Sequence, residues 1–282
     1  MSGNLDRLVL GSAGLRDDEI TPRVLDRFYE AGGRSLDLAN IYGDGESERA
    51  IGRWLATSDV DVTLYVKGCH PPYCSPSLVR AEVDEARSAL GLDTLDVFIL
   101  HRDDAGVAVG EFGAALLAEV ERGSIRAFGV SNWTVARYEE LAAELGADAR
   151  HLSAFSNQFS LAEMVTPTWP GCLSMTAAEI ASLDRDGVAA LAWASLAEGY
   201  FAGRDRPSWT SERNEERRER AGELAAKRGT TATAVALAYV LCQPSRVLAL
   251  VGTRSEAHLE ELLGAAALTL TPTELSWLEA GG

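Results

Sequence analysis

The amino-acid sequence predicts an α/β protein folded as a (β/α)8 TIM barrel. Three observations carry that expectation: eight short, nearly continuous apolar runs recur along the 282 residues, helix-patterned segments separate them, and no internal repeat other than this alternation is visible. Eight alternations fit a closed barrel better than an open doubly wound sheet, and residues 1–282 are read as a single domain.

The strand candidates, in order, are Leu8–Gly11, Ser35–Ala39, Val62–Gly68, Leu95–Leu100, Ile125–Ser131, Leu152–Asn157, Val188–Ala194 and Val247–Gly252. After the first, Thr21 followed by Pro22 reads as an N-cap and first-turn pair, with Val24, Leu25 and Phe28 on one helical face. Ser75 and Pro76 repeat the device ahead of Val79, Val83, Ala86 and Leu90, and Phe112, Leu116, Leu117 and Val120 keep helical spacing before Gly123. The longest interruption, residues 204–220, holds Pro207, Trp209 and a charged run from Glu212 that reads as a solvated helix face. A last helix pattern covers Thr271–Ala280.

Composition narrows the function classes. Hydrophobic residues make up 46% and charged residues 24%, which excludes disorder as a description of the chain. A formal net charge of −16 repels nucleic-acid phosphates and anionic lipid surfaces, so neither is an expected partner. No apolar run is long enough to span a bilayer and the MSGNLDR start lacks the layout of a signal peptide, so a cytoplasmic location is expected. Cys69, Cys74, Cys172 and Cys242 are too scattered for a disulfide framework, and the CHPPYC cluster at residues 69–74 lacks a fourth ligand for zinc. No metal site is expected. Only Lys67 and Lys227 are lysines among 26 basic residues, which asks what arginine could not do at position 67.

Barrel enzymes draw their chemistry from the carboxyl ends of several strands, and polar residues gather there. Asp37 lies near the end of the second strand with Tyr42 just beyond, Lys67 ends the third and His101 follows the fourth. Ser131 and Asn132 end the fifth strand, Gln158 the sixth and Trp193 the seventh, and Gly252–Ser255 follow the eighth. A phenol beside an ammonium is a proton donor whose phenolate the cation stabilises. The ammonium is a compact charge that a carboxylate can hold, whereas a guanidinium is a broad fork. Gly43 and Gly45 suggest a phosphate loop, but Glu48 stands where G-x-G-x-x-G needs its third glycine.

These residues resemble the aldo-keto reductase superfamily. The resemblance lies in DLANIYG at Asp37–Gly43, the VKG and FILH strand ends, GVSNW at Gly129–Trp133, NQ at Asn157–Gln158 and SLAEG at Ser195–Gly199, and it covers nearly the whole chain in order. It implies a reductase that transfers a hydride from NADPH to an aldehyde or ketone, with a small-molecule carbonyl compound as its substrate. In that mechanism Tyr42 protonates the nascent alkoxide, Lys67 paired with Asp37 lowers the tyrosine pKa, and His101 orients the carbonyl oxygen. Ser131, Asn132 and Gln158 would hold the nicotinamide carboxamide and Trp193 would stack on its ring. Ser195, Leu196 and Arg204 would face the pyrophosphate, and Gly252, Thr253, Arg254, His258 and Glu261 would enclose the adenosine phosphate end. Thr253, Arg254 and Ser255 offer donors for a 2′-phosphate and so favour NADPH.

The sequence departs from the family pattern at Leu38, where Thr is usual, at Trp193, where Tyr or Phe is usual, and at Leu262, where an adenine-contacting Asn is common. The amino-terminal hairpin of the family is very short or absent and no carboxyl-terminal loop follows the last helix pattern, which implies an open substrate cleft. Trp133 is expected in that cleft, while Trp169 and Trp209 stay open between pocket and packing. Two other readings remain: a cofactor-sensing subunit of the same fold, and a barrel lyase using Lys67 as a Schiff-base amine.

Overall fold

In a computed structural model, which describes residues 4–281, eight parallel strands close into a barrel in sequence order. They are β1 (Leu8–Gly11), β2 (Ser35–Ala39), β3 (Thr63–Gly68), β4 (Leu95–Leu100), β5 (Ile125–Ser131), β6 (Leu152–Gln158), β7 (Ala189–Trp193) and β8 (Val247–Val251). Each matches an apolar run of the sequence to within a residue at either end. The seam between β1 and β8 places Leu8 opposite Ala249 and Leu10 opposite Val251.

The helices are α1 (Ile20–Glu30), α2 (Glu46–Thr57), α3 (Val79–Leu90), α4 (Val109–Glu121), α5 (Val135–Leu145), α6 (Ala177–Arg185), α7 (Glu212–Arg228), α8 (Ala232–Leu241), α9 (Glu256–Ala266) and α10 (Pro272–Ala280). One local expectation fails: Thr21 does not cap α1. The carboxylate of Asp18 accepts from the backbone of Ile20 and Thr21, and the Thr21 hydroxyl accepts from the backbone of Arg16, so the cap lies three residues earlier. Pro76 does open a short 3-10 turn that leads into α3, although the Ser75 side chain bonds Ser77 rather than the backbone. The charged run from Glu212 lies on α7 as expected, except that Arg217 is buried and donates to the carbonyls of Leu161 and Glu279.

Strand periodicity divides the apolar residues between two cores. Val9, Tyr65, Val97, Ile99, Leu191, Leu248 and Leu250 pack inside the barrel. Their neighbours along the strands, among them Leu10, Val66, Phe98 and Phe128, pack outward with helix residues such as Val24, Phe28, Val83 and Phe112. Each such side chain contributes roughly 1.5–3 kcal/mol on full burial, so the barrel wall is stabilised from both sides. Between β5 and β6 the register shifts at Gly129, where a Cβ would lie 2.5 Å from the carbonyl oxygen of Ala154.

At the floor, no strand precedes β1 among the described residues. A 3-10 turn (Leu5–Arg7) leads in, the Asn4 backbone donates to Ala266, and Arg7 donates to the carbonyls of Leu241 and Gln243. At the opposite rim, Cys69, Asn132, Ala194, Ala197 and Glu198 hold left-handed φ angles between 47° and 57° in the loops after β3, β5 and β7. Non-glycine residues in that region carry strain, and it is gathered where the strands end.

Candidate active site

Alternation along a strand carries each core position two residues onward to the rim. Tyr65 leads to Lys67, Ile99 to His101, Gly129 to Ser131, Leu191 to Trp193 and Leu250 to Gly252. Asp37 on β2 lies beside Tyr65, one inward position below Lys67, and its carboxylate reaches that lysine, while its neighbour Leu38 turns outward into the helix-facing core. Tyr42 arrives from the turn beyond β2, held by a backbone bond to Ala39.

Lys67 and Asp37 form a fully buried ion pair at 2.5 Å. Burial pushes the Asp37 carboxyl up while Lys67 pulls it down, and the upward effect is the larger. For Lys67, burial pushes the ammonium down but Asp37 and Tyr42 raise it further, so it stays protonated. A Schiff-base role needs a neutral amine, and this environment opposes one. The Tyr42 phenol sits above its ordinary value because desolvation exceeds the lowering by Lys67. The expected net lowering is therefore not found, since the lysine acts in the anticipated direction but is outweighed. His101 is driven well below its usual value by burial and by the charges of Lys67 and Arg102, which keeps the imidazole neutral. Its Nδ1 is buried with no hydrogen-bond partner, and its ring lies edge-on to Tyr42 at 6.1 Å.

These four side chains line a cleft of about 890 Å³ that opens at the rim. Ser131, Asn132 and Trp193 line it as well. Asn132 donates to the Ser131 hydroxyl and the His101 carbonyl and accepts from the Leu173 backbone, which fixes its amide in place. Gln158 is not among the lining residues: its amide is engaged by Ser160 and Ser174.

Toward β7 and β8 the cleft is lined by Ser195, Leu196, Arg204, Gly252, His258 and Glu261. Thr253 and Arg254 do not line it, because Thr253 bonds His258 and the Ser255 backbone while Arg254 is ion-paired with Asp18. Leu262 is fully buried in the helix-facing core and does not line the cleft. Arg204 and Arg206 are exposed along this limb, without an acidic partner within 4.0 Å among the described residues. At Gly199 a Cβ would lie 2.8 Å from the Arg204 side chain, so the bare backbone leaves room beside that arginine. Unpaired cations along a long groove fit an elongated, phosphate-bearing dinucleotide.

The tryptophans separate cleanly. Trp133 is fully buried, donates to the Arg102 carbonyl and meets Phe112 edge-on, so its expected place in the cleft is incorrect. Trp209 is also buried and donates to Glu198. Trp169 is 54% exposed and lines the cleft, its ring 6.5 Å from that of Trp193. The sequence reading missed Arg102, Cys172 and Arg206, all in the lining. Arg102 carried a signal, as a charge set directly after the His that ends an apolar strand. The cysteines are free thiols, and burial pushes Cys74 up to about 12 and Cys69 up as well, which leaves both unreactive.

Comparison with known proteins agrees with this geometry. The pattern of the aldo/keto reductase family matches residues 7–280. An aryl-alcohol dehydrogenase of Pestalotiopsis microspora is 27% identical over 96% of this chain and 74% of its own length. Norsolorinic acid reductase of Aspergillus flavus is 27% identical over 94% of this chain and 72% of its own. Among solved structures, an aldo-keto reductase from Klebsiella pneumoniae in complex with NADPH superposes with a TM-score of 0.76 at 22% identity, covering 96% of this chain and 89% of that one. Its likeness is one of fold, and the match across nearly the whole sequence carries the assignment: the chain belongs to the aldo/keto reductase family of oxidoreductases.

Proposed function

We propose that the protein reduces an aldehyde or ketone to an alcohol with NADPH, with Tyr42 as the proton donor. The observation that carries this reading is the buried Asp37–Lys67 pair beside a protonated phenol at the floor of an open cleft. NADPH, when bound, supplies the hydride to the carbonyl carbon. Ser131, Asn132 and Trp193 would hold its nicotinamide end, and Arg204 and Arg206 its phosphates. Tyr42 gives its phenolic proton to the carbonyl oxygen as negative charge develops there. Lys67 then stabilises the phenolate left behind, and Asp37 keeps the ammonium in place. Neutral His101 offers a hydrogen bond that orients the oxygen without competing for the proton.

Exchange of Tyr42 for Phe tests this directly. Tyr42→Phe removes one oxygen and should cut the reduction rate by ~10²-fold or more, the scale of a lost general acid, while NADPH still binds. NADPH consumption with a panel of carbonyl compounds gives the rate, and fluorescence titration gives binding. Undiminished turnover by Tyr42→Phe would remove the phenol from the mechanism.

A further inference from the structure

Arg102 follows His101 at the end of β4 and lines the cleft, yet the residue is 8% exposed. Two of its N–H groups are engaged, both by uncharged acceptors: the His101 carbonyl at 3.0 Å and the Cys172 sulfur at 3.6 Å. The nearby carboxylates are committed elsewhere. Asp103 takes both bonds from Arg137, Asp104 accepts from the Gly106 backbone, and Asp37 belongs to Lys67. No carboxylate lies within 4.0 Å of the Arg102 guanidinium among the described residues.

The charge balance of the cleft floor follows. Lys67 and Asp37 cancel and the imidazole of His101 is neutral, so Arg102 is an excess positive charge in a protein whose net charge is −16. A guanidinium withdrawn from water and given no counter-ion is costly to keep, and a planar carboxylate matches its fork in two parallel bonds. The limb that suits the cofactor phosphates lies at β7 and β8, and β4 stands across the closed barrel from β8. The anion that would satisfy Arg102 is therefore a separate one. Trp169, whose carbonyl accepts from the backbone of Cys172, presents an exposed indole to the same cleft, and Ile41, next to Tyr42 in sequence, is likewise exposed.

We infer that Arg102 is a substrate-binding residue, and that the substrate class is a carbonyl compound bearing a carboxylate near the reducible carbonyl and an apolar or aromatic body against Trp169. This rests on the carbonyl-reductase reading above. A carboxylate seated on Arg102 satisfies the buried charge and presents the carbonyl to Tyr42 and His101 from the β4 side.

Two measurements test it separately from that reading. The first is calorimetric binding of benzoate and of benzamide, which differ in charge but little in shape. Wild type should bind benzoate about tenfold or more tighter than benzamide, the scale of a hydrogen-bonded charge pair. Arg102→Gln should bring the ratio close to one, and Arg102→Lys, which keeps the charge, should restore part of the preference. No preference in wild type, or a preference that persists in Arg102→Gln, overturns the proposal. Equal weakening of both ligands in Arg102→Gln also overturns it, since that pattern belongs to a side chain that only braces the Cys172 loop.

The second is reduction of 4-carboxybenzaldehyde against 4-formylbenzamide with NADPH, read as the ratio of kcat/KM. A preference for the acid that vanishes in Arg102→Gln supports the assignment. Turnover of both without preference overturns it and leaves the reductase reading standing. Benzoate preference without turnover of either aldehyde overturns the reductase reading and leaves Arg102 as an anion site.

Discussion

Glu48 is buried on α2, and its Oε1 has no hydrogen-bond partner. Burial raises its carboxyl to about 7, with Arg49 opposing and Glu82 and Glu85 adding to the rise. An acid raised in the folded state leaves the protein most stable while both states are protonated. That contribution is present below about 4.5, is lost as pH climbs toward 7 and stays lost above it; the full span is on the order of 3 kcal/mol. Glu48→Gln mimics the protonated form. Its melting temperature should exceed that of wild type at pH 8, and the gap should close toward pH 4.5. Parallel curves across this range would mean that Glu48 does not titrate there. Site residues differ in how far sequence alone reveals them. Asp37, Tyr42, Lys67 and His101 are legible as candidates because each is a reactive side chain at a strand end or just beyond one. Arg102 shows only its position in the sequence, because its meaning lies in the absence of a counter-ion, which only three-dimensional neighbours reveal. Arg254 shows the same limit: the sequence displays a guanidinium but not the Asp18 with which it pairs.

Elements repeat this contrast between pattern and contact. The strands were visible because two-sided burial writes itself as an apolar run, whereas the start of α1 was misplaced because the side chain of Asp18, not that of Thr21, reaches the free N–H groups. Contact also governs the crossing of α2 and α3, which Gly52 permits. A Cβ there would lie 2.3 Å from the Ala89 carbonyl oxygen and 2.9 Å from the Leu90 Cα, both backbone atoms of α3. Helix propensity alone favours alanine over glycine by roughly 1 kcal/mol. Forced separation of two packed helices costs roughly 1–3 kcal/mol, so the clash should win. Gly52→Ala is therefore expected to lower the melting temperature by several degrees, followed by circular dichroism; an unchanged or higher value would show that α3 yields freely.

For the whole molecule, closure of the barrel was legible from the count and order of its strands, while the division of the cleft into two limbs was not. Contributions to the limb proposed for the cofactor phosphates come from loops far apart in sequence, at Arg204, Arg206 and His258, and only the fold brings them together. A ligand that binds only the folded state at about 100 times its dissociation constant adds ~2.7 kcal/mol to stability. NADPH at that excess should raise the melting temperature of wild type, and the Arg204→Ala, Arg206→Ala double variant should need a higher concentration for the same shift. Differential scanning calorimetry at matched concentrations measures both, and identical titrations for the two proteins would place the phosphates elsewhere.

The chain enters the barrel at its floor, where Asn4 is tied to Ala266, and every strand then runs away from that end. Strands of four to seven residues, at ~3.3 Å per residue, separate that entry from the rim of the cleft by roughly 13–23 Å. A solid support coupled through a cysteine placed at the exposed Asp6 of this floor turn would thus hold the protein by the end opposite the cleft and leave the cleft facing the bulk solution, so immobilised preparations made this way should keep free exchange of reactant and product.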